Sequence, residues 1–134
     1  MVFGTFDLLH AGHVHFLAEA KKCADKLIVA LAPDSVVLRL KGRPPRNPFS
    51  KRQENLNRLG LADDVVMGDE ISGSWNVLGS FAPDNIALGY DQKELAEELK
   101  KFFVKNPKPV RLVYIGPHAG GVLHSSVLRD KVIK

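Results

Sequence analysis

Met1-Val2-Phe3-Gly4-Thr5-Phe6-Asp7-Leu8-Leu9-His10-Ala11-Gly12-His13-Val14-His15-Phe16 is the stretch whose reading decides the fold. The apolar run Met1 to Phe3 stops at Gly4, a residue that lets the backbone turn sharply. Beyond it, Val14, Leu17, Ala18 and Cys23 form an apolar stripe at helical spacing over roughly residues 11–24. The opening unit therefore reads strand, tight turn, helix. Its strand is stubby, which favours a working chain that begins upstream of Met1.

The same unit repeats outward from there. Leu27-Ile28-Val29-Ala30-Leu31, Val65-Val66-Met67, Ile86-Ala87-Leu88 and Leu112-Val113-Tyr114-Ile115 are further apolar runs. Continuous runs rich in β-branched residues, without polar alternation, are what strands covered on both faces look like. Between them lie amphipathic segments. Ser50 is suited to cap a helix, with Gln53 as capping-box partner. Trp75 to Phe81 reads as a short helix. Gln92 to Phe103 carries Leu95, Leu99, Phe102 and Phe103 on one side and Lys and Glu on the other. A last helix is expected from Ser125, with Val127, Leu128 and Val132 at suitable spacing. Lys41-Gly42-Arg43-Pro44-Pro45 to Pro48 is a long irregular segment. Strand and helix in alternation imply parallel pairing through right-handed crossovers. The expected fold is a single α/β domain over residues 1–134, a doubly wound, Rossmann-like parallel sheet of about five strands. Its expected strand order is 3-2-1-4-5.

Composition narrows the classes. The 134 residues are 45% hydrophobic and 25% charged, an ordinary globular balance. One cysteine, Cys23, excludes an internal disulfide framework and a four-cysteine zinc site. No run approaches the ~20 apolar residues of a membrane span, so a cytoplasmic protein is expected. Nineteen Lys and Arg against fifteen Asp and Glu give a net charge of +4. A mild cationic excess suits phosphorylated metabolites as well as nucleic acid. The basic residues are scattered and the chain lacks an aromatic strand face, which disfavours nucleic acid as the partner.

The densest chemistry lies in residues 4–16. His10 and His13 flank a helix start, and Gly12 permits close backbone approach. Amide groups at a helix N-terminus attract anions, and imidazoles beside them add donors. Such a constellation would hold a phosphate and stabilise charge on it during transfer. Composition alone is also satisfied by three histidines near a surface turn. A metal pair made of His13 and His15 is disfavoured, because positions two apart on a helix point in nearly opposite directions.

Gly4-Thr5-Phe6-Asp7 followed by His10-Ala11-Gly12-His13 resembles the signature of the nucleotidyltransferase superfamily with the His-x-Gly-His motif. It is most similar to the cytidylyltransferase-like branch. Lys41-Gly42-Arg43-Pro44-Pro45 with Arg52 resembles that branch's basic loop and following helix. Leu88-Gly89-Tyr90-Asp91-Gln92 resembles its fourth-strand exit. Within the branch, the set looks like the archaeal-type FAD synthases, which are FMN adenylyltransferases.

The resemblance implies roles. His10, His13 and Lys41 would be catalytic. Gly4, Thr5, Phe6, Ala11, Gly12, Asp91, Ser125 and Ser126 would join the two histidines in binding the nucleotide. Lys41, Arg43 and Arg52 would meet the acceptor or its phosphate. Ser125 would sit at the last helix N-terminus, where a plain capping role remains an alternative. Asp7 reads as structural, binding loop amides, and Trp75 and Cys23 as core residues. No metal ligands are assigned; a divalent ion, Mg²⁺, would ride on the triphosphate. The implied reaction is ATP plus FMN giving FAD and pyrophosphate. Its alternatives are CTP with glycerol 3-phosphate, ATP with phosphopantetheine, or a nucleotide- or nucleic-acid-binding module without turnover. Members of the branch are often homodimers.

Overall fold

The computed structural model describes residues 1–71 and 73–117, together with the backbone course of 122–127. Strand β1 is Val2–Gly4, helix α1 Ala11–Lys21, strand β2 Ile28–Leu31, helix α2 Asp34–Lys41 and helix α3 Phe49–Leu59. Strand β3 is Asp64–Met67, helix α4 Asn76–Phe81, strand β4 Asn85–Gly89, helix α5 Lys93–Lys105, strand β5 Arg111–Ile115 and strand β6 Val122–Val127. The five apolar runs are the first five strands.

β2 pairs in parallel with both β1 and β3, with Val29 opposite Val2 and Val65. β4 and β5 pair in parallel with Ile86 opposite Leu112. The ladders form two three-stranded sheets, β1-β2-β3 and β4-β5-β6, where sequence led us to expect one of about five strands. They meet where the Met1 amino group donates to the Asn85 carbonyl at 2.8 Å and the Ala87 amide donates to the Met1 carbonyl at 3.0 Å.

Alternate residues along each strand enter opposite apolar layers, as the two-residue strand period requires. Val2, Val29, Leu31, Ala87 and Ile115 join Leu17 of α1 and Leu56 of α3 on one side. Ala30, Ile86, Leu88 and Leu112 join Val77 and Leu78 of α4 and Leu99 and Phe103 of α5 on the other. Leu17, Leu31, Ile86, Leu88, Leu99 and Leu112 are fully buried. Each such side chain contributes roughly 1.5–3 kcal/mol by leaving water. Helices on both faces of parallel strands are the doubly wound arrangement.

Three expectations change. Helix α2 occupies Asp34–Lys41, where no helix was expected. Its Val36-Val37 pair weakens the helical signal, but Asp34 complements the N-terminal dipole and Arg39 and Lys41 the C-terminal one. Helix α3 starts one residue before Ser50, after Pro48, without a side-chain cap. Gln53 is not a capping partner either, since its amide donates to the Val65 carbonyl at 2.8 Å. Finally, Ser125 and Ser126 lie on β6, antiparallel to β5, rather than at a helix start. Hydrogen bonding to the edge of β5 outweighs the helical spacing of Val127, Leu128 and Val132. Leu128 and Val132 lie outside the described residues.

Candidate active site

The carboxyl ends of β1, β4 and β5 converge on a cavity of about 340 Å³. Its wall includes Gly4, Thr5, Phe6, His10, Gly12, His13, Lys41, Gly89, Asp91 and Gly116. A crevice at strand ends beside the point where connections diverge is where doubly wound proteins take ligands.

The turn after β1 is shaped by Phe6, whose φ of 45° lies in the left-handed region. This conformation folds the Phe6 ring back over Gly4, where a Cβ would come within 2.6 Å of the ring. Phe6 is buried, and its ring meets His13 edge-on at 5.2 Å between centroids. His10 is the N-cap of α1. Its Nδ1 accepts from the Gly12 amide at 3.1 Å, and the His10 amide donates to His13 Nδ1 at 3.4 Å. Gly12 is needed for this cap, because a Cβ there would lie 2.9 Å from His10 Cε1.

The two rings stack at 3.8 Å. With each Nδ1 accepting, the neutral rings carry their proton on Nε2. Burial, followed by the neighbouring His10, holds His13 below the ordinary histidine value; the Leu8 carbonyl and Asp91 oppose this. The site thus favours neutral His13 until an anion arrives. One helix-terminal amide, that of Gly12, is used by His10, so the imidazoles replace part of the backbone's anion-binding capacity.

Asp7 does bind loop amides. Its carboxylate accepts from the amides of Arg46 at 2.8 Å and Asn47 at 2.9 Å, while Asn47 Nδ2 donates to the Asp7 carbonyl at 2.8 Å. Burial works against its charge, but these two amides, helped by Arg52 and Lys41, hold the carboxyl below its ordinary value. Asp7 thereby anchors the basic segment to the histidine turn. Lys41, Arg43 and Arg46 border a further cavity of about 300 Å³, together with His10 and His13.

Arg52 departs from expectation. It is fully buried and lines none of these cavities. Its guanidinium donates to the Asn47 carbonyl at 3.0 Å, the Thr5 carbonyl at 2.9 Å and the Asp34 carboxylate at 2.6 Å. It joins three segments behind the site instead of reaching an acceptor phosphate. Arginine suits this because its planar fork carries five donors in fixed directions.

Ser125 and Ser126 stand opposite Val113 and Leu112. They are two and three residues back from the cavity-lining Ile115, about 7–10 Å along the strand. The backbone course therefore does not bring them to the rim with His10 and Asp91.

Asp91 does reach the rim. The adjoining N-cap of α5 is Gln92, not Asp91. Gln92, in the sequence a helix start and part of the strand exit with no role assigned, has two partners here. Its Oε1 accepts from the Gly89 amide at 2.9 Å, and its Nε2 donates to the Phe3 carbonyl at 2.9 Å. It ties the exits of β4 and β1 together under the cavity. His15, weighed in the sequence only as a metal partner of His13, places its Nε2 3.1 Å from the Gly116 carbonyl, linking α1 to the end of β5. A polar residue at a helix start after a strand is the local signal for Gln92, and it is indistinguishable from an ordinary cap.

A second cavity, about 570 Å³, shares Phe3, Gly4, Thr5, Lys41, Asp91 and Gln92 with the first. Its remaining wall is mostly apolar, with Ala30, Val36, Leu40, Ile71, Trp75, Val77 and Leu95. Trp75, expected in the core, is half-buried and faces this space while touching Phe3 edge-on at 5.6 Å. Cys23 is half-buried beyond the helix α1 terminus and plays no part here.

Among the described residues, no three His, Cys, Asp or Glu side chains cluster to hold a metal ion. Asp91 is the acidic side chain on the histidine-lined cavity. This donor set fits a hard cation that arrives on phosphate oxygens and keeps its water, rather than one caged by protein. No described helix is long and apolar enough to cross a membrane.

Residues 1–115 match the family model described as cytidylyltransferase-like. An FAD synthase of Pyrococcus horikoshii is 45% identical over 118 residues, 86% of this chain and 80% of that one. An FAD synthase of Thermoplasma volcanium is 36% identical over 134 residues, covering all of this chain and 93% of its own. Among solved structures, a Thermoplasma volcanium protein described as a lipopolysaccharide core biosynthesis protein superposes with a TM-score of 0.77 at 36% identity. That superposition covers 86% of this chain and 93% of the other.

Proposed function

Because this chain belongs to the cytidylyltransferase-like family and is a nucleotidyltransferase, we propose that it is an FMN adenylyltransferase, joining ATP and FMN into FAD with release of pyrophosphate. The relatives named FAD synthase support the reaction. The observation that carries the acceptor is the apolar cavity of about 570 Å³ beside the histidine-lined one. Glycerol 3-phosphate is small and polar and would leave Leu40, Ile71, Trp75 and Leu95 facing water. A flat, largely apolar ring system fills such a space and desolvates it.

The two cavities share the wall formed by Gly4, Thr5, Lys41, Asp91 and Gln92. With ATP over the histidines and the flavin ring beyond that wall, the FMN phosphate and the α-phosphorus of ATP meet beside Lys41. An FMN phosphate oxygen attacks that phosphorus. A new P–O bond forms as the bond to the β-phosphate oxygen breaks, and pyrophosphate leaves. The nucleophile is already ionised near neutral pH, so a strong general base is unnecessary. Catalysis is positioning plus charge stabilisation.

His10 and His13 supply Nε2–H donors to the crowded phosphorus and the leaving group. Lys41 offsets charge between donor and acceptor phosphates, and Asp91 contacts the nucleotide's sugar or base. Gly4, Thr5, Phe6, Ala11 and Gly12 supply the close-fitting floor, and Arg43 extends the basic rim. Mg²⁺ carried by the phosphates would neutralise further charge. Such substrates suit a cytoplasmic enzyme, alone or as a homodimer.

The test is pyrophosphate release with Mg²⁺, crossing ATP and CTP against FMN, glycerol 3-phosphate and phosphopantetheine, with product masses recorded. Turnover confined to ATP plus FMN, yielding FAD, is expected. Turnover confined to another pair overturns the acceptor while keeping the chemistry.

A further inference from the structure

The wall of the apolar cavity contains an arrangement that packing alone does not require. Trp75 sits at φ 50° and ψ 33°, the left-handed region, where a bulky side chain is strained. It is the N-cap of α4, yet its own side chain caps nothing. The cap comes from elsewhere. Asp69, just beyond β3, accepts from the amides of Asn76 and, at 3.1 Å, Val77, and from the Ser74 hydroxyl at 2.7 Å.

These three bonds bracket Trp75 on both sides. The Ser74 hydroxyl also approaches the Ile71 carbonyl at 2.9 Å, closing the loop that precedes it. The indole is then fixed from behind by Phe3, edge-on at 5.6 Å, and Phe102, at 6.2 Å. Its remaining surface borders the cavity, as does Asp69 itself.

We propose that Asp69 is a positioning residue that holds Trp75 as the aromatic wall for the acceptor's isoalloxazine ring, and so sets the preference for a flavin over smaller phosphate esters. The inference rests on FMN being the acceptor. An indole is large, flat and rigid, so it offers stacking area to a planar ring at small entropic cost. Strain retained at one residue, over-determined by three hydrogen bonds, is what a fixed recognition surface requires. Leu40, Ile71 and Leu95 complete an apolar slot around it.

Trp75 is the only tryptophan in the chain, so its emission reports this wall directly. Time-resolved tryptophan fluorescence of the whole chain would be followed with FMN, riboflavin and glycerol 3-phosphate. FMN and, at higher concentration, riboflavin are expected to quench at least about twofold, because an adjacent flavin accepts the indole's excitation. Glycerol 3-phosphate should leave it unchanged.

In Asp69→Ala, KM for FMN is expected to rise at least about fivefold with KM for ATP within about twofold, and FMN quenching should weaken. Asp69→Asn, which keeps one acceptor oxygen, should recover part of both. Trp75→Phe should bind FMN within about threefold of the parent and Trp75→Ala at least about tenfold more weakly. FAD synthesis with Trp75 emission untouched by FMN, or an unchanged KM for FMN in Asp69→Ala, would overturn the inference and leave the proposed reaction standing. Turnover of another acceptor, with none of FMN, would remove both.

Discussion

His10 and His13 stack with 26° between their ring planes, and the amide of the first donates to Nδ1 of the second. One imidazole caps the helix from which the other projects. Structure and chemistry therefore overlap at His10, and a single alanine substitution mixes the two.

They are separable by choice of variant. His10→Ala loses a cap, about 0.5–2 kcal/mol of stability, and turnover. His10→Asn supplies an equally good capping oxygen but no imidazole donor. We expect it to unfold at nearly the parent's urea midpoint while kcat falls about 100-fold or more. His13→Ala should likewise cost about 100-fold in kcat. Parental turnover in His10→Asn would remove that residue from the chemistry.

The pH dependence of stability follows from His13. Its value is depressed in the fold, so the unfolded chain takes up the proton more readily. The stabilisation it contributes is complete above the unfolded value of about 6.5 and is lost as pH falls through the folded one. Thermal unfolding of the ligand-free protein between about pH 7.5 and 5.5 should show a steeper decline than in His13→Gln. Saturating triphosphate should flatten the difference, since bound anion favours the charged ring. Parallel curves in the parent and His13→Gln would contradict the assignment.

Arg52 behaves as a structural centre. Arg52→Leu leaves the carbonyls of Thr5 and Asn47 without their donor and should cost about 3 kcal/mol or more in denaturant unfolding. Asp34→Asn should cost much less, because that carboxylate is half exposed. A mild effect of Arg52→Leu on folding, paired with a specific rise in KM for the acceptor, would reverse the reading.

Asp7→Asn tests the tether of the basic segment. It keeps the shape but weakens acceptance from the Arg46 and Asn47 amides. KM for ATP should rise about five- to tenfold, with an unfolding midpoint close to the parent's. An unchanged KM would mean that Lys41 and Arg43 hold their places without Asp7.

Much of this was legible in the sequence, for a physical reason. Strands covered on both faces must be apolar throughout, so Leu27 to Leu31 or Leu112 to Ile115 cannot hide. Gly12 between two histidines likewise marks a crowded helix start. What stayed hidden depends on partners distant in sequence. Residue type does not distinguish the buried Arg52 from the exposed Arg43; its partners Thr5, 47 residues away, and Asp34, 18 away, reveal its role. Trp75 reads as core because its cavity-facing surface is created by Asp69 and α4. Ser125 and Ser126 read as a helix start because Val127, Leu128 and Val132 follow at helical spacing, and pairing with β5 overrides it.

The join between the two ladders has a further consequence. The Met1–Asn85, Met1–Ala87, Phe3–Gln92, Cys23–Asn85 and His15–Gly116 hydrogen bonds bridge the two halves, beside their side-chain packing. The cavity wall draws Gly4 and Thr5 from one half and Gly89 and Asp91 from the other. A ligand seated there acts as a clasp across the join of the two ladders. Binding should thus slow exchange of the Ala87 amide, which lies outside the cavity wall, and raise the unfolding temperature with concentration. The molecule is most itself when it is holding something.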